Sequence, residues 1–184
     1  MFRKLMAVMT ALMLLVPAVC LAAGNLELKA REELGDVLFQ GFEDRDTGAP
    51  VAYFNVFTAR LDDRSAPASA FKFKISLQLS PQGNGVMFIY EDTDLRRAHY
   101  NATVRFGKGK ARTMQVSTNI TSQNYTIFLV QDPADSDYFI DQCLKNRSVS
   151  VSIDNTGVKG KYRLERLNKH LPEVAQLMET LRQQ

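Results

Sequence analysis

Apolar and polar residues alternate along most of this chain with a period of two, the spacing of a strand with one buried face. In FKFKISLQL, Phe71, Phe73, Ile75, Leu77 and Leu79 fall on one side and Lys72, Lys74, Ser76 and Gln78 on the other. PQGNG at 81–85 supplies turn residues, and VMFIYE after it reads as a strand buried on both faces, so the two form a hairpin. YNATVRF and ARTMQVS, joined by GKGK at 107–110, form a second hairpin, and NYTIFLV at 124–130 a further strand. SVSVSI at 148–153, the turn DNTG and the partner strand carrying Val158, Gly160, Tyr162 and Leu164 form a third hairpin.

Helical spacing occurs in two places. DPADSD reads as a loop in which Ser136 or Asp137 caps a short helix, Tyr138 to Lys145, with Phe139 and Cys143 on one face. At the C-terminus Leu164, Leu167, Leu171, Val174, Met178 and Leu181 follow steps of three and four. Pro172 disfavours helix at Leu171, so the pattern predicts a turn and then a helix from Pro172 to Arg182 packed on the sheet. LELKAREEL, in the segment 25–50, fits a charged helix or a first strand, and GFEDRDTGAP reads as a turn-rich connection. The expected fold is mainly β: a single antiparallel β-sandwich-like domain, residues 24–184, with a short helix before the last two strands and a C-terminal helix.

The first twenty-three residues have a different pattern. Arg3 and Lys4 precede an apolar run from Leu5 to Val16, and Ala18, Ala22 and Ala23 follow. That is the layout of a secretory signal peptide, 1–23, and a run of about twelve apolar residues is too short to span a bilayer. Export, most readily to the periplasm, is the expectation. A minority reading makes Cys20 a lipidation site, although Val19 stands where a small residue normally precedes that cysteine.

Removal of the signal changes the charge. The whole chain has 23 basic and 20 acidic residues; without Arg3 and Lys4 the balance is 21 to 20. The mature chain then retains one cysteine, Cys143, so no internal disulfide forms, and the apolar side of a helix suits a buried thiol better than a nucleophile. One cysteine with His99 and His170 falls short of a structural zinc site. Asp44, Asp46 and Gly48 reproduce only a fragment of a calcium loop. Nucleophile elbows, phosphate-cradling loops and dinucleotide fingerprints are absent from the sequence.

The one concentration of binding chemistry is basic and aromatic: Arg96, Arg97, Tyr100, Arg105, Lys108, Lys110 and Arg112 cluster around the hairpin at 100–117. Export and a near-neutral mature charge argue against nucleic acid, and solvated strand faces or a patch for an acidic partner protein explain these residues as well.

From Asn101 onward VRFGKGKARTMQVSTN, YFIDQCLKNRSVSVSI and VKGKYRLERLNKHL occur in an order that resembles exported bacterial proteins of the invasion-associated locus B type and small accessory proteins encoded with type VI secretion systems. The chain differs from them in lacking tryptophan and paired cysteines. The resemblance implies a β-sandwich-like, non-enzymatic envelope protein and transfers no site residues. The function expected is therefore an exported periplasmic or cell-envelope binding or secretion-accessory protein acting through sheet surfaces and loops. Its partner is expected to be another envelope or secretion-system protein, with no nucleic acid, cofactor or metal ion and no transmembrane segment after signal cleavage. The alternatives are a small exported hydrolase using carboxylates such as Glu91, Asp92 and Asp94, and a lipid-anchored structural protein built on Cys20.

Overall fold

A computed structural model describes residues 25–91, 98–120 and 125–183. The signal segment 1–23 with Cys20, and also Asp92, Asp94, Arg96 and Arg97, lie outside the described residues. The chain builds ten antiparallel strands: β1 (Leu26–Glu33), β2 (Val37–Asp44), β3 (Pro50–Val56), β4 (Phe73–Ser80), β5 (Gly83–Tyr90), β6 (His99–Phe106), β7 (Arg112–Ile120), β8 (Thr126–Val130), β9 (Ser148–Ile153) and β10 (Lys159–Arg163). A 3-10 turn, Ala68–Phe71, precedes β4; helix α1 (Pro133–Lys145) precedes the last two strands, and α2 (Leu167–Arg182) closes the chain. The fold is mainly β, as the alternation predicts.

The strand order is β1-β2-β3-β4-β5-β8-β7-β6-β9-β10. The first five strands follow the chain as a meander, and the later strands continue the same sheet. A ten-stranded twisted sheet does not stay flat. Here Tyr162 on β10 donates its hydroxyl hydrogen to the Phe73 carbonyl on β4 at 3.1 Å, so the last strand comes over against the first half. The core lies between these facing surfaces. Phe54, Leu77, Phe88, Met114, Phe128, Phe139 and Tyr162 are all fully buried in it. Phe139 of α1 meets the rings of Phe88 and Phe106 edge-on at 5.7 and 5.1 Å, which ties the helix to both halves.

Five local expectations are corrected. The segment 25–50 is a hairpin of β1 and β2, and Gly41–Asp44 belongs to the second strand rather than to a connection. Phe71 falls in the 3-10 turn before β4 and pairs with Phe57 at 6.0 Å, so four apolar residues of β4, not five, face the core. Strand β7 runs beyond ARTMQVS, where polar Thr118 and Asn119 pair with Phe128 and Ile127 of β8. Helix α1 starts at Pro133, not Tyr138, because Asp132 rather than Ser136 or Asp137 is the cap. Its carboxylate accepts the Ala134 N–H at 2.9 Å, and Pro133 suits the first turn, where its missing N–H costs nothing. Helix α2 begins at Leu167 and runs through Pro172. Pro172 removes one helical hydrogen bond near the helix start, and burial of Leu167, Leu171 and Met178 along one stripe outweighs it. The far end of α2 is pinned by Arg182, which donates to the Ser80 and Pro81 carbonyls at 3.2 Å.

The sheet's reverse face has its own small apolar cluster: Met87, Ile89 and Ile127 are buried, with Tyr53 and Tyr125 against them. The reverse face of β7, β6, β9 and β10 is polar.

Candidate interaction face

Strand register sets the chemistry of that polar face. Ala102, Val104 and Phe106 of β6 point into the core, so Asn101, Thr103 and Arg105 point away from it. Pairing carries the same phase outward. Thr113, Thr103, Ser152 and Lys159 form one row across β7, β6, β9 and β10. Arg105, Ser150 and Lys161 form the next, and Ser148 with Arg163 a third. Gln115 with Asn101, and Ser117 with His99, continue in the opposite direction. The surface is thus a rigid array of hydroxyls and amides that becomes cationic towards β10.

Among the described residues, the ion pairs formed include none by Arg105, Lys108, Lys110, Lys159, Lys161 or Arg163. The opposite end of the sheet contrasts with this: Lys29 pairs with Glu27 at 3.0 Å and Arg31 with Glu33 at 3.5 Å. The one carboxylate among the rows' ends is Asp154, whose Oδ1 accepts the Thr103 hydroxyl at 3.0 Å. Arg105, Lys159 and Lys161, exposed on paired strands and without an ion pair among the described residues, have little backbone freedom to lose on binding, which favours an acidic partner, while Arg163 at the end of the array is also drawn to the Asp36 carboxylate.

The sequence-predicted patch divides on this register. Arg105 lies on the array, and Lys108 and Lys110 are exposed in the β6–β7 turn beside it. Tyr100 and Arg112 do not belong to it, because both share the core-facing phase of Val104. The Tyr100 ring packs edge-on against Phe128 at 5.6 Å. The Arg112 guanidinium lies 4.1 Å over the Tyr138 ring and pairs with Asp135 at 2.5 Å, fastening the start of β7 to the first turns of α1. Lys159, Lys161 and Arg163 were missed. Alternation in VKGKYRL puts all three on the polar side of a strand, but the β6–β9 pairing that sets them beside Arg105 is non-local.

At the amide end of the array lies a shallow groove of about 470 Å³, lined by His99, Tyr100, Asn101, Gln115, Gln131, Asp154 and Asn155, so Tyr100 reaches this groove although its ring packs on Phe128. Gln131 is held by a 2.6 Å donor contact to the Ser117 hydroxyl, and the Asp154 N–H donates to the Asn101 carbonyl at 2.9 Å. Asn155 takes a left-handed conformation, φ 61°, which asparagine tolerates better than most residues and which turns the chain over the groove's edge. His99 thus sits among amides and one carboxylate.

Cys143 is buried on α1 beside Phe139. Burial pushes its thiol well above the ordinary thiol range, opposite to what a thiolate nucleophile needs. Among the described residues no group of three or more His, Cys, Asp and Glu side chains is placed to hold a metal ion, and no helix is long and apolar enough to cross a membrane. Comparison with known protein families, curated proteins and solved structures found no match to this chain.

Proposed function

We propose that this protein is an exported cell-envelope binding or secretion-accessory protein that holds an acidic partner protein against the reverse face of β7, β6, β9 and β10. One observation carries the reading: Arg105, Lys159 and Lys161 project from paired strands without an ion-pair partner among the described residues, over a floor of serine and threonine hydroxyls. A partner that presents carboxylates meets charge-assisted donors at fixed spacing, and the hydroxyls satisfy its remaining polar groups. The export half of the proposal rests on Arg3, Lys4 and the apolar run that follows them. A near-neutral mature chain suits a protein partner better than a nucleic acid, whose dense phosphates demand a larger excess of cations.

The test is charge reversal. In Arg105→Glu/Lys161→Glu both cations of one row become acids on an exposed surface, where substitution leaves stability within about 0.5 kcal/mol. Capture of a discrete acidic protein from the native envelope by the wild-type chain, weakened by salt and lost in the double variant, supports the proposal. Equal capture by both proteins contradicts it.

A further inference from the structure

Lys74 is a cation placed among apolar side chains. Alternation along β4 sends Ile75 and Leu77 to the core and Lys74 to the reverse face, where pairing aligns it with Ile89 of β5 and Ile127 of β8. Both isoleucines are 1% exposed. The ammonium group lies 5.6 Å from the centre of the Phe57 ring and 5.7 Å from that of Tyr125. Phe57 is held in turn by Phe71, whose ring is 6.0 Å away in the β3–β4 connection. Among the described residues the titratable groups nearest this site are Tyr125 just before β8, Tyr53 on β3, Lys72 just before β4, and Glu91 just after β5. Glu91 attracts the ammonium at longer range, and among the described residues Lys74 forms no ion pair with a carboxylate.

Two ring faces are poor compensation for lost water, so the neutral amine is favoured here relative to an exposed lysine. Burial moves this amine from 10.5 to about 8. The side chain nevertheless keeps some exposure. We propose that Lys74 is a nucleophilic amine site that takes up a carbonyl compound, an aromatic aldehyde by preference, as an imine between the Phe57 and Tyr125 rings. The lone pair of the deprotonated Nζ attacks the carbonyl carbon, and the carbonyl π electrons move to oxygen, which gains a proton from water as the nitrogen gives one of its two protons back to water. The carbinolamine then loses its hydroxyl as water while the nitrogen gives up its remaining proton, leaving C=N. Amine plus aldehyde gives imine plus water, with nothing oxidised or reduced. An aromatic substituent suits the site because both flanking residues are rings.

This site lies on the other half of the sheet from the basic array, and it stands whether or not that array binds a protein. The probe is benzaldehyde with cyanoborohydride, which reduces the imine and fixes it as a benzylamine, followed by peptide mapping of the full folded chain. Lys74 is expected to gain the benzyl group at least ~10-fold faster than Lys108, Lys110 or Lys161 at pH 7.5, since far more of it is neutral. Its rate should level off above pH about 8, while theirs keeps rising. Lys74 labelled no faster than those exposed lysines, or labelled only after the chain is unfolded, overturns the proposal. In Lys74→Arg the fast phase should vanish; if that variant does not fold, the site-by-site comparison within the wild-type chain still decides.

Discussion

Lys74→Met exchanges the buried cation for an apolar chain of similar length, and the consequence is a change in how stability depends on pH. In the wild type the folded chain releases the Lys74 proton near pH 8, whereas the unfolded chain holds it to 10.5. Between those values the unfolded state binds more protons, so raising the pH stabilises the fold. The sign is that of a depressed lysine: its cost is fully present below pH 8 and is relieved as the pH rises. Integrated over the whole window the effect is ~3 kcal/mol, of which ~1.3 kcal/mol falls between pH 7 and pH 9. The rings at 5.6 and 5.7 Å return ~0.5–1 kcal/mol to the charged form, so Lys74→Met should be more stable than wild type by ~2 kcal/mol at pH 7. That gap should narrow by ~1 kcal/mol at pH 9. Cys143 and Tyr162, both buried and both pushed up, lower the stability of the two proteins alike as the unfolded chain begins to ionise, and they cancel in the difference. Urea unfolding followed by circular dichroism at pH 7, 8 and 9 gives the two curves. Parallel curves would refute the reasoning, because Lys74 would then titrate alike in folded and unfolded chains.

Two further outcomes concern the core and the helix anchor. Cys143 should resist alkylation in the native protein and react fully once the chain is unfolded in urea, read by intact mass; rapid native labelling would mean that the α1 face is not buried. Arg112→Ala removes both the Asp135 pair and the cover over Tyr138, and a loss of ~1–2 kcal/mol in urea unfolding is expected. Arg105→Ala, one strand position from the core but facing away from it, should leave stability within about 0.5 kcal/mol, and an equal loss in both variants would remove the distinction drawn between them.

How much of this was legible in the sequence follows from which interactions are local. Strands β4, β6, β7, β9 and β10 announce themselves by alternation, since each buries one face, whereas β5 and β8 show as apolar runs buried on both faces. β1 and β2 were ambiguous because LELKAREEL is an edge strand, five of whose positions are exposed, and mixed charges there carry no period. The start of α1 was misplaced by a choice among four acidic or hydroxyl residues, any of which caps a helix in isolation; Pro133 was the signal that selects Asp132. Helix α2 passed through Pro172 because the apolar stripe on both sides of it packs on the same surface, a tertiary gain that single-residue preferences do not contain. At the candidate site the same rule applies. Arg105, Lys108 and Lys110 were found as neighbours in the chain, while Lys159, Lys161 and Arg163 join them only through β6–β9 pairing, a contact across some fifty residues. Tyr100 and Arg112 were assigned to the patch by proximity, and strand phase removes them.

The most direct test of the central claim is site-specific photo-crosslinking from Ser150, which stands between Arg105 and Lys161 in the middle of the basic row. A photoreactive residue there should yield one discrete adduct with an acidic envelope protein in living cells. The adduct should disappear when Arg105 and Lys161 are both changed to glutamate. The same residue at Gln78, on the other half of the sheet, should yield none. An adduct that survives the charge reversal, or equal crosslinking from Gln78, would contradict the assignment of this face as the binding surface.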